Sequence, residues 1–252
     1  MTTMRGYTYA PRTEGHPLQR AVPGELVANA ERGPPWLVVD HALATVIVTS
    51  WPGRLLAVEV TDAVTAADLE RVRQTGLRPD AGYTRAIAVR VLEELEAWRL
   101  FGVHGASVVE IIEAAQRLTV ETAGALAAAV DPGAARMYAA AWDVWLTEEQ
   151  RADSIHFGTD HAGTLAIPAR NRAGSPIYQG FSLIAGELRR RAIAVTDGAA
   201  VEVDEEGEAS LVPPWPGACD ALLYAGMALG APHLVPADAR PRLLRAWDDA
   251  RP

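Results

Sequence analysis

The chain has 252 residues, of which 23 are basic and 32 are acidic, and its formal net charge is −9. Every basic residue is arginine, which excludes chemistry that needs an ε-amine: Schiff-base and pyridoxal reactions, Walker-type phosphate loops and kinase-type ATP binding. The acidic balance argues against a nucleic-acid partner, because phosphate binding needs a concentrated positive field.

The remaining composition predicts a cytoplasmic globular protein. Apolar residues make up 49% of the chain and charged residues 22%, the balance of a sequence that buries a core. A single cysteine excludes an intrachain disulfide. The polar, proline-rich N-terminus lacks the pattern of a signal peptide, and no apolar run is long enough for a bilayer, so no membrane partner is expected. Abundant Ala and Arg without Lys are typical of a G+C-rich, actinobacterial-type genome.

The N-terminal part is predicted to be rich in β-structure after an irregular start. Residues 1–35 are expected to form an arm or an irregular cap. The segment 37–50 is rich in Val, Ile and Thr and predicts a strand, and 55–60 predicts a second strand. Between them, Trp51-Pro52-Gly53-Arg54 predicts a type II turn in which Gly53 takes a positive φ.

The middle of the chain, from about residue 65 to 148, predicts helices. Thr65 with Asp68 and Ser107 with Glu110 each have the spacing of a capping box ahead of apolar periodicity. Three apolar stripes recur at steps of three or four residues: Ile87, Val91, Leu95 and Trp98; Val108, Ile111, Ile112, Ala115 and Leu118; Ala134, Met137, Tyr138, Ala141, Trp142 and Trp145. We interpret these stripes as core faces rather than as the lining of a ligand pocket.

The last hundred residues predict mixed structure. Short strands are expected at 155–157 and 165–167, a helix at about 181–194, and a hairpin with an acidic tip at 201–212. A helix that begins at Trp215 carries Gly226 and Gly230, two small residues that favour close packing against a neighbour. A short helix over 238–247 ends the chain.

Together these elements predict an α+β fold with a β-rich N-terminal section, a helical middle and a mixed C-terminal section. The sections are an arm at 1–35, a β-hairpin with helices at 36–150, and a mixed α/β section at 151–252. One domain and two interleaved lobes are both compatible with this order.

One local cluster has the side chains of a metal site. His156, Asp160 and His161 provide two imidazoles and one carboxylate, a set that suits a divalent metal such as zinc. In an extended strand, residue 161 would point away from 156 and 160, so a turn at Gly158 would be needed to bring the three together. A polar turn without a metal is the alternative interpretation.

Catalytic candidates come from the same histidines. The tripeptide Asp-His-Ala occurs twice, around His41 and around His161. We therefore predict His41, Asp160 and His161 as candidate acid–base residues. Cys219, near a predicted helix start, is interpreted either as a thiolate stabilised by the helix dipole or as a small core residue.

Two functions from different classes fit these observations. The first is a non-catalytic binding or accessory protein, of the immunity, resistance or pathway-accessory type, that acts by contact with a protein or a small molecule. It rests on the lack of a complete catalytic set and on seven tryptophans, of which Trp36, Trp51 and Trp215 adjoin Pro/Gly turns, so that some of these three are expected to be accessible. The alternative is an enzyme that uses His and carboxylate chemistry, by metal-assisted hydrolysis or by general acid–base catalysis. No cofactor other than a divalent metal is expected, and no pattern specifies the partner or the oligomeric state.

Overall fold

A computed structural model of the chain describes residues 4–12, 15–29, 32–72, 82–153, 158–159, 165–166 and 176–250. The fold is α+β, as predicted. The described residues up to Leu100 form one compact unit that is rich in strands, and those from Phe101 to Ala250 form a second unit that is mainly helical. Among the described residues, no helix combines the length and the apolar character that crossing a membrane requires.

Five strands build the first unit: β1 (Met4–Pro11), β2 (Leu26–Ala28), β3 (Leu37–Asp40), β4 (Gly53–Ala63) and β5 (Tyr83–Leu95). All of their pairings are antiparallel. They close into a ring, because β1 pairs with both β3 and β4, and β5 pairs with the same two strands. The short strand β2 pairs only with β5. Closing a sheet in this way removes most of its free edges.

A continuous apolar core holds the ring together. It is formed by Ala10, Leu18, Ala21, Val27, Leu37, Val39, Leu56, Val58, Ala86, Val89 and Val91. Leu18 belongs to the segment between β1 and β2 and is fully buried, so this segment is part of the folded unit. The guanidinium of Arg54 secures it by donating hydrogen bonds to the carbonyl oxygens of Leu18 and Gln19, while a salt bridge to Glu94 holds the guanidinium in place.

Two predictions that concern the strands of this unit are wrong. Residues 4–11 form a strand of the ring and not part of an irregular arm, because β1 pairs with β4 along its whole length. The stripe from Ile87 to Leu95, predicted as a helix, is strand β5. Most residues from Ala86 to Val91 are buried, on both faces of that strand, so the run contains apolar residues at helical spacing without being helical.

The turns of the first unit differ partly from the predictions. Helix α1 (Ala66–Arg71) begins with the expected capping box, in which Thr65 and Asp68 exchange hydrogen bonds. The predicted type II turn is wrong, because Gly53 has no positive φ and is the first residue of β4.

Helices form most of the second unit: α2 (Gly105–Arg117), α3 (Val120–Ala129), α4 (Ala134–Asp153), α5 (Pro176–Val195), α6 (Trp215–Gly230) and α7 (Arg240–Ala250). Two short hairpins accompany them, β6 (Gly158–Thr159) with β7 (Leu165–Ala166) and β8 (Val201–Val203) with β9 (Ala209–Leu211). The hairpin with the acidic tip is confirmed, as are the helices predicted at about 181–194, from Trp215 onward and over 238–247. The apolar stripes from Val108 to Leu118 and from Ala134 to Trp145 are helical, as predicted. The capping box at Ser107 is wrong, since α2 begins two residues earlier without a side-chain cap.

The apolar stripes of α4 and α6 pack inside the second unit. Ala134, Ala141 and Trp145 belong to its core, and the ring of Tyr138 lies 5.0 Å from that of Tyr224, centroid to centroid. The core interpretation of the α4 stripe is therefore confirmed.

The two glycines of α6 also face the interior of this unit. A Cβ at Gly230 would collide with Val108 of α2, and one at Gly226 would crowd Ile184 of α5. These small residues therefore serve packing within the chain.

Candidate functional site

A cleft opens on the first unit between strands β1 and β3. Its volume is about 260 Å³. Eleven residues from four segments line it: Thr8, Tyr9, Pro11, His16, Pro17, Pro35, Trp36, Leu37, Val38, Ile47 and Thr49. The walls thus combine two aromatic rings, three prolines and aliphatic side chains with three polar groups, and they include no Asp, Glu or Arg.

The cleft lies between the two strands rather than on one face of the sheet. Strands β1 and β3 make a single ladder pair, Tyr7 with Asp40. Successive residues of a strand point to opposite faces. Adjacent residues of β1, Thr8 and Tyr9, nevertheless both line the cleft, as do adjacent residues of β3, Leu37 and Val38. The strands therefore diverge beyond their one pair, and the cleft fills the gap.

The aromatic wall at β1 depends on a glycine. The Tyr9 hydroxyl donates a hydrogen bond of 2.7 Å to the carbonyl oxygen of Ser50. The ring then lies over Gly53, the first residue of β4, where any Cβ would collide with it. This is the physical reason for the glycine in the Trp-Pro-Gly sequence, in place of the turn geometry that the sequence suggested.

The imidazole of His16 is positioned by its own segment. Its Nδ1 accepts a hydrogen bond of 3.3 Å from the backbone N–H of Leu18, the residue anchored in the core. Burial lowers the pKa of His16 below its ordinary value, so the ring is neutral at pH 7. Because Nδ1 is the acceptor, the proton of the neutral ring lies on Nε2, which is left to donate.

The opposite wall comes from the segment after β3, in which buried and exposed side chains alternate. Val46 and Val48 are buried, whereas Ile47 and Thr49 are exposed and line the cleft. Pro35, which also lines the cleft, lies in a loop held by Asn29. The Asn29 side-chain amide donates hydrogen bonds to the carbonyl oxygens of Gly33 and Pro35.

The buried polar group of the cleft is Thr8. The residue Thr8 is only 5% exposed, and its hydroxyl forms no hydrogen bond with any residue that the structure describes. The Thr8 hydroxyl is thus a hydrogen-bonding group that a ligand in the cleft can satisfy.

The predicted metal and acid–base residues are only partly described. His156, Asp160 and His161 lie outside the described residues. His41 is exposed, and its Nε2 lies 2.9 Å from the Thr84 hydroxyl oxygen. In the described part of the chain, no three His, Cys, Asp or Glu side chains are grouped as a metal site would require. The proposed roles of these four residues remain predictions.

Burial also shifts the pKa values of Cys219 and Asp40, which do not line the cleft. Burial raises the pKa of the Cys219 thiol to about 11, so the hypothesis of a thiolate stabilised by the helix dipole is wrong. Burial also raises the pKa of Asp40 to about 6, against the effect of a hydrogen bond from Thr45. Asp40 is a member of the single pair that joins β1 to β3, but it does not line the cleft.

The three tryptophans beside Pro/Gly turns differ in burial. Trp36 is half-buried and lines the cleft, and Trp51 is also half-buried. Trp215 is 1% exposed because it packs in the second unit at the start of α6. Sequence reasoning missed Thr8, Tyr9 and His16, although Tyr7-Thr8-Tyr9 has the aromatic and β-branched composition of a strand.

Comparison of the chain with known protein families, with curated proteins and with solved structures finds no match.

Proposed function

We propose that this protein acts by binding, without catalysing a reaction itself, and that the cleft between β1 and β3 is its contact site. The support is the cleft's construction: an apolar and aromatic enclosure whose one deeply buried polar side chain, Thr8, has no partner among the described residues. Such an accessory role, in immunity, resistance or a pathway, matches the function expected from composition.

The walls favour an uncharged ligand. No charged side chain lines the cleft, and its histidine is neutral at pH 7. A charged group entering it would lose hydration without gaining an ionic partner, which costs several kcal/mol. A neutral aromatic or aliphatic group loses nothing of this kind and gains burial against Tyr9 and Trp36.

The dimensions favour contact with part of a larger molecule. A volume of about 260 Å³ falls just below the range of roughly 300–1,000 Å³ usual for pockets that enclose a drug-sized molecule. Two exposed aliphatic residues border the opening, Val38 at 42% and Ile47 at 53%. A partner that inserts one or two side chains could cover them, which is how anchor residues work in protein interfaces.

A matched set of three probes tests the site: benzyl alcohol, benzylammonium and benzoate, which differ mainly in charge. Each probe is titrated into protein labelled at the isoleucine δ1 methyl groups, and the NMR chemical shift of the Ile47 methyl signal is followed. We expect saturable binding of benzyl alcohol and affinities about tenfold or more lower for both ions, because the walls offer no counter-charge. Ile193, which is 40% exposed in the second unit, is the internal control and should not shift.

Variants separate the cleft from nonspecific binding. Val38→Asp should abolish benzyl alcohol binding, whereas Val203→Asp, at a 60% exposed position of β8, should leave it unchanged. An absence of saturation at Ile47, or equal affinities of the two variants, would contradict the proposed site.

The alternative proposal is an enzyme that uses His41, Asp160 and His161, with His156 as a further metal ligand. The described residues add only the His41–Thr84 contact to this proposal. Metal analysis of untagged protein, and the melting temperature with and without EDTA, test it. A bound stoichiometric metal whose removal lowers the melting temperature would favour this alternative.

A further inference from the structure

We infer that the ligand of the cleft is an extended, proline-containing peptide segment of a partner protein. This inference rests on the proposed function, since it names the class of molecule that the same cleft would bind. It follows from three properties of the cleft: the hydrogen-bonding groups, the wall composition and the open shape.

The polar groups match a backbone that offers acceptors only. The Nε2–H of His16 donates, and the hydroxyls of Thr8 and Thr49 can each donate. A proline residue has a carbonyl acceptor and no N–H. In the polyproline II conformation its carbonyls make no internal hydrogen bonds and are free to accept. A proline segment therefore offers an acceptor to the Thr8 hydroxyl without bringing donors that would need partners of their own.

The walls suit proline rings. Tyr9 and Trp36 present aromatic surfaces within an otherwise aliphatic cleft, and grooves lined by aromatic rings are the usual binding sites of polyproline II segments. The uncharged lining requires a neutral segment at the point of contact. Because such a segment is already extended before it binds, it loses little conformational entropy on binding.

The shape favours a chain that passes through the opening over a compact molecule. The cleft follows the gap between two diverging strands and is bordered by the exposed side chains of Val38 and Ile47. An extended peptide can place one or two residues in the gap while its flanking residues cover this rim.

The test compares acetylated, amidated decaproline with a capped Ser-Gly peptide of the same length. Both are neutral, and both are titrated into the isoleucine-labelled full chain. We expect decaproline to shift Ile47 saturably and to compete with benzyl alcohol, and the Ser-Gly peptide to bind at least several-fold more weakly. Equal binding of the two peptides would overturn the preference for proline.

The Thr8→Val variant tests the hydrogen bond. Valine keeps the branched shape and suits a strand, so the variant should fold. We expect its affinity for decaproline to fall between about twofold and about tenfold, the value of one hydrogen bond. An unchanged affinity for decaproline would overturn the assigned role of Thr8.

The outcomes distinguish this inference from the proposed function. If benzyl alcohol binds at Ile47 and decaproline does not, the cleft is a site for a small neutral molecule and the peptide inference is wrong. If neither probe shifts Ile47, both proposals are wrong.

Discussion

Replacing Asp40 with asparagine should remove a pH dependence that this carboxyl imposes on the first unit. Asp40 is 9% exposed, and burial raises its pKa to about 6 from an ordinary value of 3.8. Because the raised pKa means that folding favours the protonated carboxyl, its contribution to stability is complete below about pH 4. That contribution is lost as the pH rises through 6.

The size of the effect follows from the shift. A difference of about two pKa units between the folded and unfolded states corresponds to about 3 kcal/mol of unfolding free energy. An asparagine side chain cannot ionise and has nearly the same shape as the aspartate that it replaces. The variant Asp40→Asn should therefore match the parent near pH 4 and exceed it by up to about 3 kcal/mol at pH 7.5.

Urea denaturation at several pH values measures this difference. The methyl signal of Ile87 reports on the first unit, in which this residue is buried. Glu93→Gln, a substitution of an exposed carboxylate on β5, is the matched control and should give a nearly constant difference from the parent across the same pH range. If Asp40→Asn and the parent lose stability in parallel between pH 4 and 7.5, Asp40 ionises like an ordinary surface carboxylate and the reasoning is refuted.

Four further predictions concern three glycines and the cysteine. Gly53→Ala should lower the unfolding free energy by about 1–3 kcal/mol because its Cβ collides with the Tyr9 ring. Gly124→Ala, in the interior of α3 with open space around it, should instead raise the unfolding free energy by about 0.5–1 kcal/mol; thermal melts that show the same sign for both would contradict this account. Gly230→Ala should cost about 1–3 kcal/mol through its collision with Val108, and adding Val108→Ala should relieve part of that cost, as a double-mutant cycle would measure; strictly additive effects would argue against the contact. At pH 8, Cys219 should react with iodoacetamide about a hundredfold more slowly than a free cysteine, because its pKa is raised to about 11, and a rate equal to that of free cysteine would disprove the burial of the thiol.

The sequence was informative where structure is determined by neighbouring residues. The Thr65–Asp68 capping box, the hairpin of β8 and β9 and the long helices of the second unit are local patterns, and they were predicted. Their formation depends on side chains within a few positions along the chain.

The errors occurred where distant segments decide the structure. Strand β1 is paired with β4, about fifty residues later, and nothing local to residues 4–11 specifies that partner. Strand β5 pairs with three other strands and is largely buried between Ala86 and Val91, so its apolar residues fall at helical spacing as well as at strand spacing.

The cleft was not predictable for the same reason. It exists because β1 and β3 separate after the pair of Tyr7 with Asp40, and because residues from four separate segments meet at the gap. Among the residues that line the cleft, Trp36 is the one that the sequence analysis names as a candidate contact residue. Whether the Thr8 hydroxyl finds a hydrogen-bond partner depends on the residues that surround it in space, and these cannot be read from the periodicity of the sequence.

A crystal structure of the protein grown with benzyl alcohol is the most direct test of the contact site. The account predicts the aromatic ring of the alcohol between β1 and β3, against Tyr9 and Trp36, with its hydroxyl within hydrogen-bonding distance of Thr8 or His16. A well-ordered structure with the alcohol bound only elsewhere, and the cleft closed by its own side chains, would contradict it.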